Sequence, residues 1–359
     1  MNVNSGFRGL LMSGVCCAAM MAASCNSGYS EGKKTTGDST LEKDKKAAIG
    51  DGGKDSSISV VSQPRRPIDT AEYNRLLLKL ANGDSSGRWP AKAVYPLPGA
   101  ILPFKRIVAY YGNFYSKKMG VLGEYPPDEM LKMLAAEGKK WAAADSTTPV
   151  QLALHYIAAT AQGSPGKDGR YRLRMPSKQI DSVINLAARI NALVFLDVQV
   201  GFSNVEAEIP QLEKYLKMPQ VHLGIDPEFS MKTGKKPGTV IGTMDAADVN
   251  FVSNYLAGLV KANDLPPKIL VVHRFTRPMI TNYKNIKTRP EVQIVMDMDG
   301  WGEPTLKYDS YKSYIANEPV QFTGFKLFYK NDIRKPKSRM LTPPEVLKQK
   351  PSPIYIQYQ

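Results

Sequence analysis

Two carboxylates stand close together at the end of an apolar run, where residues 221–229 read Val-His-Leu-Gly-Ile-Asp-Pro-Glu-Phe. Side chains alternate along a strand, so Asp226 and Glu228 would share one face with their Cα atoms about 6.6 Å apart. The charge of one carboxylate at that distance raises the pKa of the other. A carboxyl group that stays protonated near neutral pH can act as a general acid. We therefore predict Glu228 as a catalytic acid and Asp226 as its partner. The alternative is an ion pair with basic residues, which would lower both pKa values.

More acidic residues follow two other apolar runs. Asp297 and Asp299 share a face after one of them, and either could be a second catalytic carboxylate. Asp197 shares a face with Gln199 after the other. With the first pair, these acids could ring a single pocket.

Aromatic, amide and basic side chains at the ends of other runs could bind a substrate. Tyr and Trp suit this role because they offer a flat apolar face with a polar edge, although core packing is the alternative for each of them. Lys326 interrupts an apolar run, and a buried lysine is costly unless it is paired, so we expect it to neutralise one of the acids. The predicted substrate-binding residues are Asp197, Gln199, Tyr110, Tyr111, Asn113, His273, Arg274, Trp301, Lys326 and Tyr329.

The sequence has three histidines, His155, His222 and His273, and all of them lie in apolar runs. His222 comes too early in its run to reach the end, so we predict that it is a core residue. A metal site that joins His273 to the neighbouring acids is the weaker alternative, because no closely spaced pair of histidines supports it. We predict no metal ligand and no cofactor.

Eight apolar runs position all of these residues, and predicted helices lie between them. The runs begin near Arg106, Val150, Ile190, Gln220, Lys268, Val292, Phe322 and Pro353. Strands that alternate with helices in units of roughly 30 residues are typical of a (β/α)8 TIM barrel, whose active sites lie at the C-terminal ends of the strands. A doubly wound open sheet is the alternative, disfavoured because no Gly-rich phosphate turn follows the first strand.

Helical spacing of apolar residues predicts most of the connecting helices. We expect helices at residues 70–82, from Pro126 to Trp141, and at 177–190, 205–217, 246–262, 278–286, 306–315 and 344–348. The sequence stops at Gln359, directly after the eighth run, so we expect no standard eighth outer helix. The early helix at 70–82 could cover that gap.

The N-terminal part differs in composition from the rest. Residues 1–24 read as a lipoprotein signal peptide, because an apolar stretch ends in Ala-Ala-Ser before Cys25, the predicted lipidation site. Residues 25–62 are rich in Ser, Gly, Lys and Asp and predict a flexible linker. The barrel domain is then expected over residues 63–359.

The chain is strongly basic, with a formal net charge of +15. Much of this charge falls in three segments that follow predicted strands, residues 161–176, 229–243 and 329–344. A basic face favours an anionic polymer or surface as partner, although merely solvated lysines are the alternative at any one position. We predict a polysaccharide partner, which this charge allows to be anionic, contact with the membrane through the N-terminal lipid, and no nucleic acid.

The motifs resemble the chitinase-like family of glycoside hydrolases, TIM barrels whose fourth strand ends Asp-x-Asp-x-Glu and whose sixth carries Met-x-Tyr-Asp. Asp226-Pro227-Glu228 matches the end of the first motif, while Gly224 stands in place of its inner acid. Residues 296–302, Met-Asp-Met-Asp-Gly-Trp-Gly, are similar to the second motif without its Tyr. The resemblance implies that Glu228 protonates the glycosidic oxygen while Asp226 steadies a substrate acetamide. As a whole, the chain resembles bacterial surface lipoproteins with glycosidase-like barrels.

We therefore predict an exported, lipid-anchored glycoside hydrolase of the bacterial cell envelope. A non-catalytic carbohydrate-binding surface lipoprotein and a metal-dependent hydrolase are the two alternatives. The separation of Glu228 from the second carboxylate would decide the stereochemistry, with retention at about 5 Å and inversion at roughly 6.5–9.5 Å.

Overall fold

The computed structural model describes residues 66–359. The predicted signal peptide, Cys25 and the linker over residues 25–62 lie outside the described residues. Within the described part, no helix is long and apolar enough to cross a membrane.

Parallel strands form a closed barrel in this part of the chain. Its strands are β1 (Arg106–Gly112), β2 (Val150–Ala161), β3 (Leu193–Val198), β4 (Val221–Ile225), β5 (Lys268–Arg274), β6 (Val292–Met298), β7 (Phe322–Leu327) and β8 (Tyr355–Tyr358). Each strand pairs in parallel with the next one along the chain. The sheet closes because β8 also pairs with β1, in a register that sets Ile107 against Tyr355. The predicted (β/α)8 barrel is confirmed, and the open sheet is wrong.

The helices connect the strands and cover the outside of the barrel, apart from the first helix, which precedes β1. They are α1 (Thr70–Ala81), α2 (Val121–Glu124), α3 (Pro127–Ala144), α4 (Ser177–Ala188), α5 (Val205–Glu208), α6 (Glu213–Leu216), α7 (Ala246–Ala262), α8 (Pro304–Tyr311) and α9 (Pro343–Leu347). Local sequence signals explain where the long ones begin. Pro127 opens α3 at a position where the missing amide hydrogen costs nothing, and Asp245 with Asp248 forms a capping box at the start of α7.

Two predicted helices differ in the structure. The helix expected at 205–217 is divided, because Pro210 lies in a 3-10 turn between α5 and α6, where proline cannot donate the backbone hydrogen bond of a continuous helix. The helix expected at 278–286 is wrong. Ile280–Thr281 is a short strand that pairs with Met244–Asp245, and Asn282 then turns the chain with a φ of 56°. That left-handed conformation cannot continue a right-handed helix.

Apolar side chains fill two separate layers. The outer layer lies between the barrel and the helices. The inner layer fills the barrel from its N-terminal end and includes Ile107, Phe195, Val271 and Tyr355. Helix α1 contributes Tyr73 and Leu80 to this inner layer, so it closes the N-terminal end of the barrel and does not fill a gap in the outer ring. The acidic side chains inside the barrel lie in its C-terminal half.

An ion-pair network anchors α1 to the start of the barrel. Asp145, which follows α3, contacts Arg106 at 3.1 Å and Lys79 at 3.0 Å. Burial opposes the ionisation of Asp145, yet hydrogen bonds from Thr148, Thr147 and Lys79 hold its pKa well below the usual range. Arg106 is only 1% exposed, so this carboxylate is the partner that makes its burial tolerable.

Candidate active site

Ionisable side chains from five strands, and from the segments that follow β4 and β6, lie together in the C-terminal half of the barrel interior. We call them the charge cluster, and its members are His155, Asp197, Asp226, His273, Asp297, Asp299 and Lys326. All of them are buried, so each charge depends on its neighbours for compensation. The register of the barrel strands explains why these side chains are close together, since His273 lies opposite Asp297 on the adjacent strand.

Asp197 on β3 is the centre of the charge cluster. The Tyr111 hydroxyl donates a hydrogen bond to its Oδ2 over 2.9 Å, and His155 Nε2 lies 3.3 Å from its Oδ1. Burial raises the pKa of Asp197, but the nearby charge of His273 and the hydrogen bond from His155 lower it far more. Asp197 is therefore a carboxylate over the whole working pH range.

His273 on β5 lies between carboxylates on both sides of its ring. Nε2 is 3.4 Å from Asp197 Oδ1, and Nδ1 is 3.3 Å from both Asp297 Oδ2 and Asp299 Oδ2. Burial lowers the pKa of His273, but the charges of Asp197 and Asp299 raise it well above its usual value. In the absence of a bound cation, this imidazole carries a proton on each nitrogen.

His155 on β2 is neutral, in contrast to His273. Burial lowers its pKa to about 4. Tyr355 Oη is 2.6 Å from Nδ1, and Gln357 Nε2 is 2.9 Å from the same nitrogen. With Nδ1 accepting from these donors, Nε2–H donates to Asp197. No role was predicted for His155 from the sequence, where the available signal is an imidazole between apolar residues of a strand.

Lys326 on β7 supplies a second positive charge. Its Nζ is 2.8 Å from Asp299 Oδ1 and 3.9 Å from the centre of the Tyr111 ring. The predicted pairing of Lys326 with an acid is confirmed. Asp297, by contrast, has no hydrogen-bond partner among the described residues, and burial raises its pKa.

Asp226 and Glu228 follow β4 at the mouth of the barrel, where Asp226 is a buried member of the charge cluster and Glu228 is partly exposed above it. β4 ends at Ile225, and Pro227–Phe229 forms a 3-10 turn, so the two acids do not alternate on one strand as expected. They remain close because Asp226 Oδ1 accepts a hydrogen bond from the backbone amide of Glu228 over 3.0 Å. Gln199 Nε2 donates to the other oxygen of Asp226 over 3.2 Å.

Both carboxyls of this pair have raised pKa values. Burial, opposed by the charge of His273 and helped by those of Asp197 and Asp299, raises the pKa of Asp226 to about 7. Burial and then the charges of Asp226 and Asp299 raise the pKa of Glu228 to about 8. Glu228 is partly exposed, and its carboxyl makes no hydrogen bond or ion pair with any residue between 66 and 359. The ion-pair alternative for this residue is therefore wrong.

Two glycines, which have no side chain, provide the space that the charge cluster fills. A Cβ atom at Gly224 would lie 2.3 Å from Asp197 Oδ1 and 2.4 Å from His155 Nε2. A Cβ atom at Gly324 would lie 2.4 Å from Asp297 Oδ1. Gly224 is the position where the chitinase-like motif has its inner acid. With His155 and Asp197 in place, an acid does not fit there.

Several predicted substrate-binding residues lie outside the charge cluster. Tyr110 is buried in the outer layer, where its hydroxyl lies 2.9 Å from that of Tyr329. Asn113 is buried and donates to the backbone oxygen of Ile157. Arg274 faces the outer layer and pairs with Glu318. The structure therefore gives these four residues packing and structural contacts rather than a place at the mouth.

The remaining predicted residues have clear positions. Trp301 is partly exposed after β6, with the Arg334 guanidinium 5.4 Å from its ring centre. His222 is buried in the inner layer, where its Nδ1 accepts from the backbone amide of Ile269, and its prediction as a core residue is confirmed. The structure brings together Asp197, Gln199, Tyr111, His273, Lys326, Asp226, Asp297 and Asp299, with Glu228 above them.

The charge cluster and Glu228 can exchange protons with a substrate at the mouth. Carboxyls outnumber the lysine and the protonated histidine, and raised pKa values keep protons on some of them near neutral pH. The chemistry that this permits is general acid catalysis by the outermost carboxyl. His155, Asp197 and His273 are also the described residues with donor atoms placed to hold a metal ion.

Comparison with known proteins gives no family. No family model and no curated protein matches the chain. Solved structures that resemble it include Cel5A from Thermotoga maritima in complex with cellobiose (8% identity, 71% of this chain, 88% of that chain, TM-score 0.36). A GH18 chitinase from Pseudoalteromonas aurantia also resembles it (13% identity, 71% of this chain, 94% of that chain, TM-score 0.34). So does the mannanase BCman from Bacillus subtilis (11% identity, 81% of this chain, 86% of that chain, TM-score 0.38). At these values the barrel assignment depends on the strand pairing, and the functional argument depends on the site.

Proposed function

We propose that this chain is a glycoside hydrolase in which Glu228 is the general acid. The observation that carries the proposal is a partly exposed carboxyl, free of hydrogen bonds and ion pairs within residues 66–359, at the C-terminal mouth of the barrel. Its pKa of about 8 keeps it protonated at neutral pH. Burial is the main cause of this value, and the charges of Asp226 and Asp299 raise the pKa further while those of Lys326 and His273 lower it.

Asp299 is the proposed second carboxylate. It is 8% exposed, whereas Asp297 is fully buried beneath it, so Asp299 is the acid that substrate or water can reach. Glu228 gives its proton to the glycosidic oxygen as the bond from that oxygen to the anomeric carbon breaks. A water molecule adds to the anomeric carbon, directly or after attack by Asp299, and its proton returns to a carboxylate.

The proposed substrate is a polysaccharide, and an anionic one fits the charge of the mouth. The loops after β2, β4 and β7 carry the basic segments found in the sequence. Lys167, Lys235, Lys236 and Lys337 are exposed there and make no ion pair with another described residue. Lysines without acidic partners are available to an anionic chain, whose binding would weaken as salt rises.

Export and lipid attachment at Cys25 remain proposals from the sequence. They are supported by the small residues before Cys25 and by the polar composition of residues 25–62. Cys25→Ser should move the protein from the membrane fraction to the soluble fraction of the cell envelope. Unchanged membrane association of that variant would contradict the lipid anchor.

Hydrolysis of a panel of neutral and anionic polysaccharides, measured as new reducing ends, tests the function. Glu228→Gln should reduce turnover by at least about 10²-fold. Glu206→Gln, which changes an exposed glutamate of α5, is the matched control and should leave turnover unchanged. Undiminished turnover in Glu228→Gln removes Glu228 from the mechanism. Glycan retention by the wild type without any new reducing ends would favour the carbohydrate-binding alternative.

A further inference from the structure

We propose that His155, Asp197 and His273 form a binding site for a divalent first-row transition-metal ion, deeper in the barrel than Glu228. One donor atom from each residue lies within 4.8 Å of the others. All three side chains are fully buried. The sequence shows no metal motif because the three ligands come from different strands, β2, β3 and β5.

The distances between the donor atoms fit a tetrahedral metal site. Asp197 Oδ1 is 3.3 Å from His155 Nε2 and 3.4 Å from His273 Nε2. Direct ion pairs in the same barrel are shorter, as in the 2.8 Å contact of Lys326 with Asp299. Two ligands of a tetrahedral ion bound at about 2.0–2.1 Å lie roughly 3.3–3.4 Å apart. Two of the three separations therefore match the edges of such a coordination shell, and all three donor atoms lie within 4.8 Å of one another.

His273 provides a second and independent observation. It is fully buried, yet neither of its ring nitrogens makes a hydrogen bond with a described residue, although carboxylate oxygens lie at ion-pair distance. Buried polar atoms without partners are uncommon and call for an explanation. A cation at Nε2 would satisfy that nitrogen and Asp197 Oδ1 together.

Each ligand also has a partner that would hold it in place. With a metal on Nε2, His273 Nδ1–H faces the carboxylates of Asp297 and Asp299 at 3.3 Å. His155 Nδ1–H would donate to Tyr355 Oη at 2.6 Å after a change of tautomer, and the Gln357 amide, whose nitrogen lies 2.9 Å from Nδ1, would turn its oxygen toward that N–H. The Tyr111 hydroxyl already donates to the second oxygen of Asp197. Histidine ligands of metals usually have such a partner on the other ring nitrogen.

Donor type and charge agree with this assignment. Two imidazoles and a carboxylate suit Zn²⁺ and its first-row neighbours rather than Ca²⁺ or Mg²⁺, which prefer oxygen ligands alone. The surrounding acids offset the positive charge of the ion. Gly224 keeps the space beside Asp197 Oδ1 and His155 Nε2 free of any side chain. Metal binding would release the proton that His273 otherwise holds.

Metal content of the purified full chain tests the proposal. Because the ligands are buried, the ion enters most easily during folding, so the protein is unfolded with a chelator and refolded with Zn²⁺ or with Co²⁺. We expect one equivalent of metal per chain after dialysis, and the intense visible absorption of tetrahedral Co²⁺. His155→Gln and His273→Gln should each lose the metal, whereas His222→Gln, a buried histidine outside the site, should retain it.

Several outcomes would overturn the proposal. These are refolded wild type without stoichiometric metal, which would leave His273 as a protonated ion-pair partner, and full metal content in both ligand variants. If the variants do not fold, X-ray absorption of the Zn²⁺-loaded wild type replaces them. Two imidazole nitrogens near 2.0 Å are then expected, and a spectrum without imidazole scattering contradicts the site. None of these measurements depends on glycan hydrolysis, so this inference and the proposed function can fail separately.

Discussion

The carboxylate of Asp226 accepts a hydrogen bond from the backbone amide of Glu228 over 3.0 Å. One short turn therefore holds the proposed acid and also places a second carboxyl beside it. Because the charge of Asp226 is among the causes that raise the pKa of Glu228, the turn couples the ionisation of the two residues. The protonation of Glu228 therefore depends on the charge of the residue that positions it.

The pH dependence of hydrolysis should reveal this coupling. As the proposed general acid, Glu228 would act only when protonated, so kcat/KM should fall as pH rises through its pKa of about 8. Asp226→Asn keeps an oxygen for the amide hydrogen bond but removes a negative charge. We expect the alkaline limb of the pH profile to move to lower pH in this variant.

Removal of a positive charge near Glu228, instead of a negative one, provides the control. Lys326 lowers the pKa of Glu228 through its positive charge, so Lys326→Gln should move the alkaline limb to higher pH. Shifts of the same sign in both variants, or an alkaline limb that neither variant moves, would show that a group other than Glu228 controls the profile.

Asp145→Asn should destabilise the fold at its N-terminal end. The change leaves the Arg106 guanidinium buried without a counter-charge, and breaking a buried pair in this way costs about 3 kcal/mol. Asp128→Asn is the control. Both side chains of the Asp128–Arg189 pair are exposed, so this substitution should change the unfolding midpoint very little. Urea unfolding of both variants measures the difference. Equal midpoints would mean that water reaches Arg106.

Gly224→Ala should damage the charge cluster although it adds only one methyl group. The new Cβ would overlap Asp197 Oδ1 and His155 Nε2, and overpacking of this kind costs about 1–3 kcal/mol. Gly258→Ala on the exposed face of α7 has open space and should stabilise the protein by about 0.5–1 kcal/mol. Thermal unfolding compares the two. A Gly224→Ala protein as stable as wild type would show that the His155 and Asp197 side chains move apart readily.

The barrel could be predicted from the sequence because its strands are buried on both faces. Such strands read as apolar runs, and the predicted starts at Arg106, Val150, Lys268, Val292 and Phe322 coincide with the observed ones. Because both faces of these strands are buried, the sequence does not indicate which side chains point into the barrel. β1 and β5 are buried at every position, so Tyr110 could not be separated from Tyr111, nor Arg274 from His273, by any polar alternation.

The acids of the site could be predicted, but their arrangement could not. Residues at the C-terminal ends of parallel strands converge in a barrel, which is why Asp197, Asp297 and Asp299 were found. His155 was missed because its partners Tyr355 and Gln357 lie some two hundred residues away in the sequence, a separation that barrel closure removes. No local pattern reports such a contact.

The most direct test of the central claim compares two substrates of Glu228→Gln. One is the glycan that the wild type cleaves, and the other is a dinitrophenyl glycoside of the same sugar, whose leaving group needs no protonation. If Glu228 is the general acid, the variant should lose about 10²–10⁴-fold in kcat/KM on the glycan and little on the activated substrate. Equal losses on both substrates, or no loss on either, would contradict the assignment.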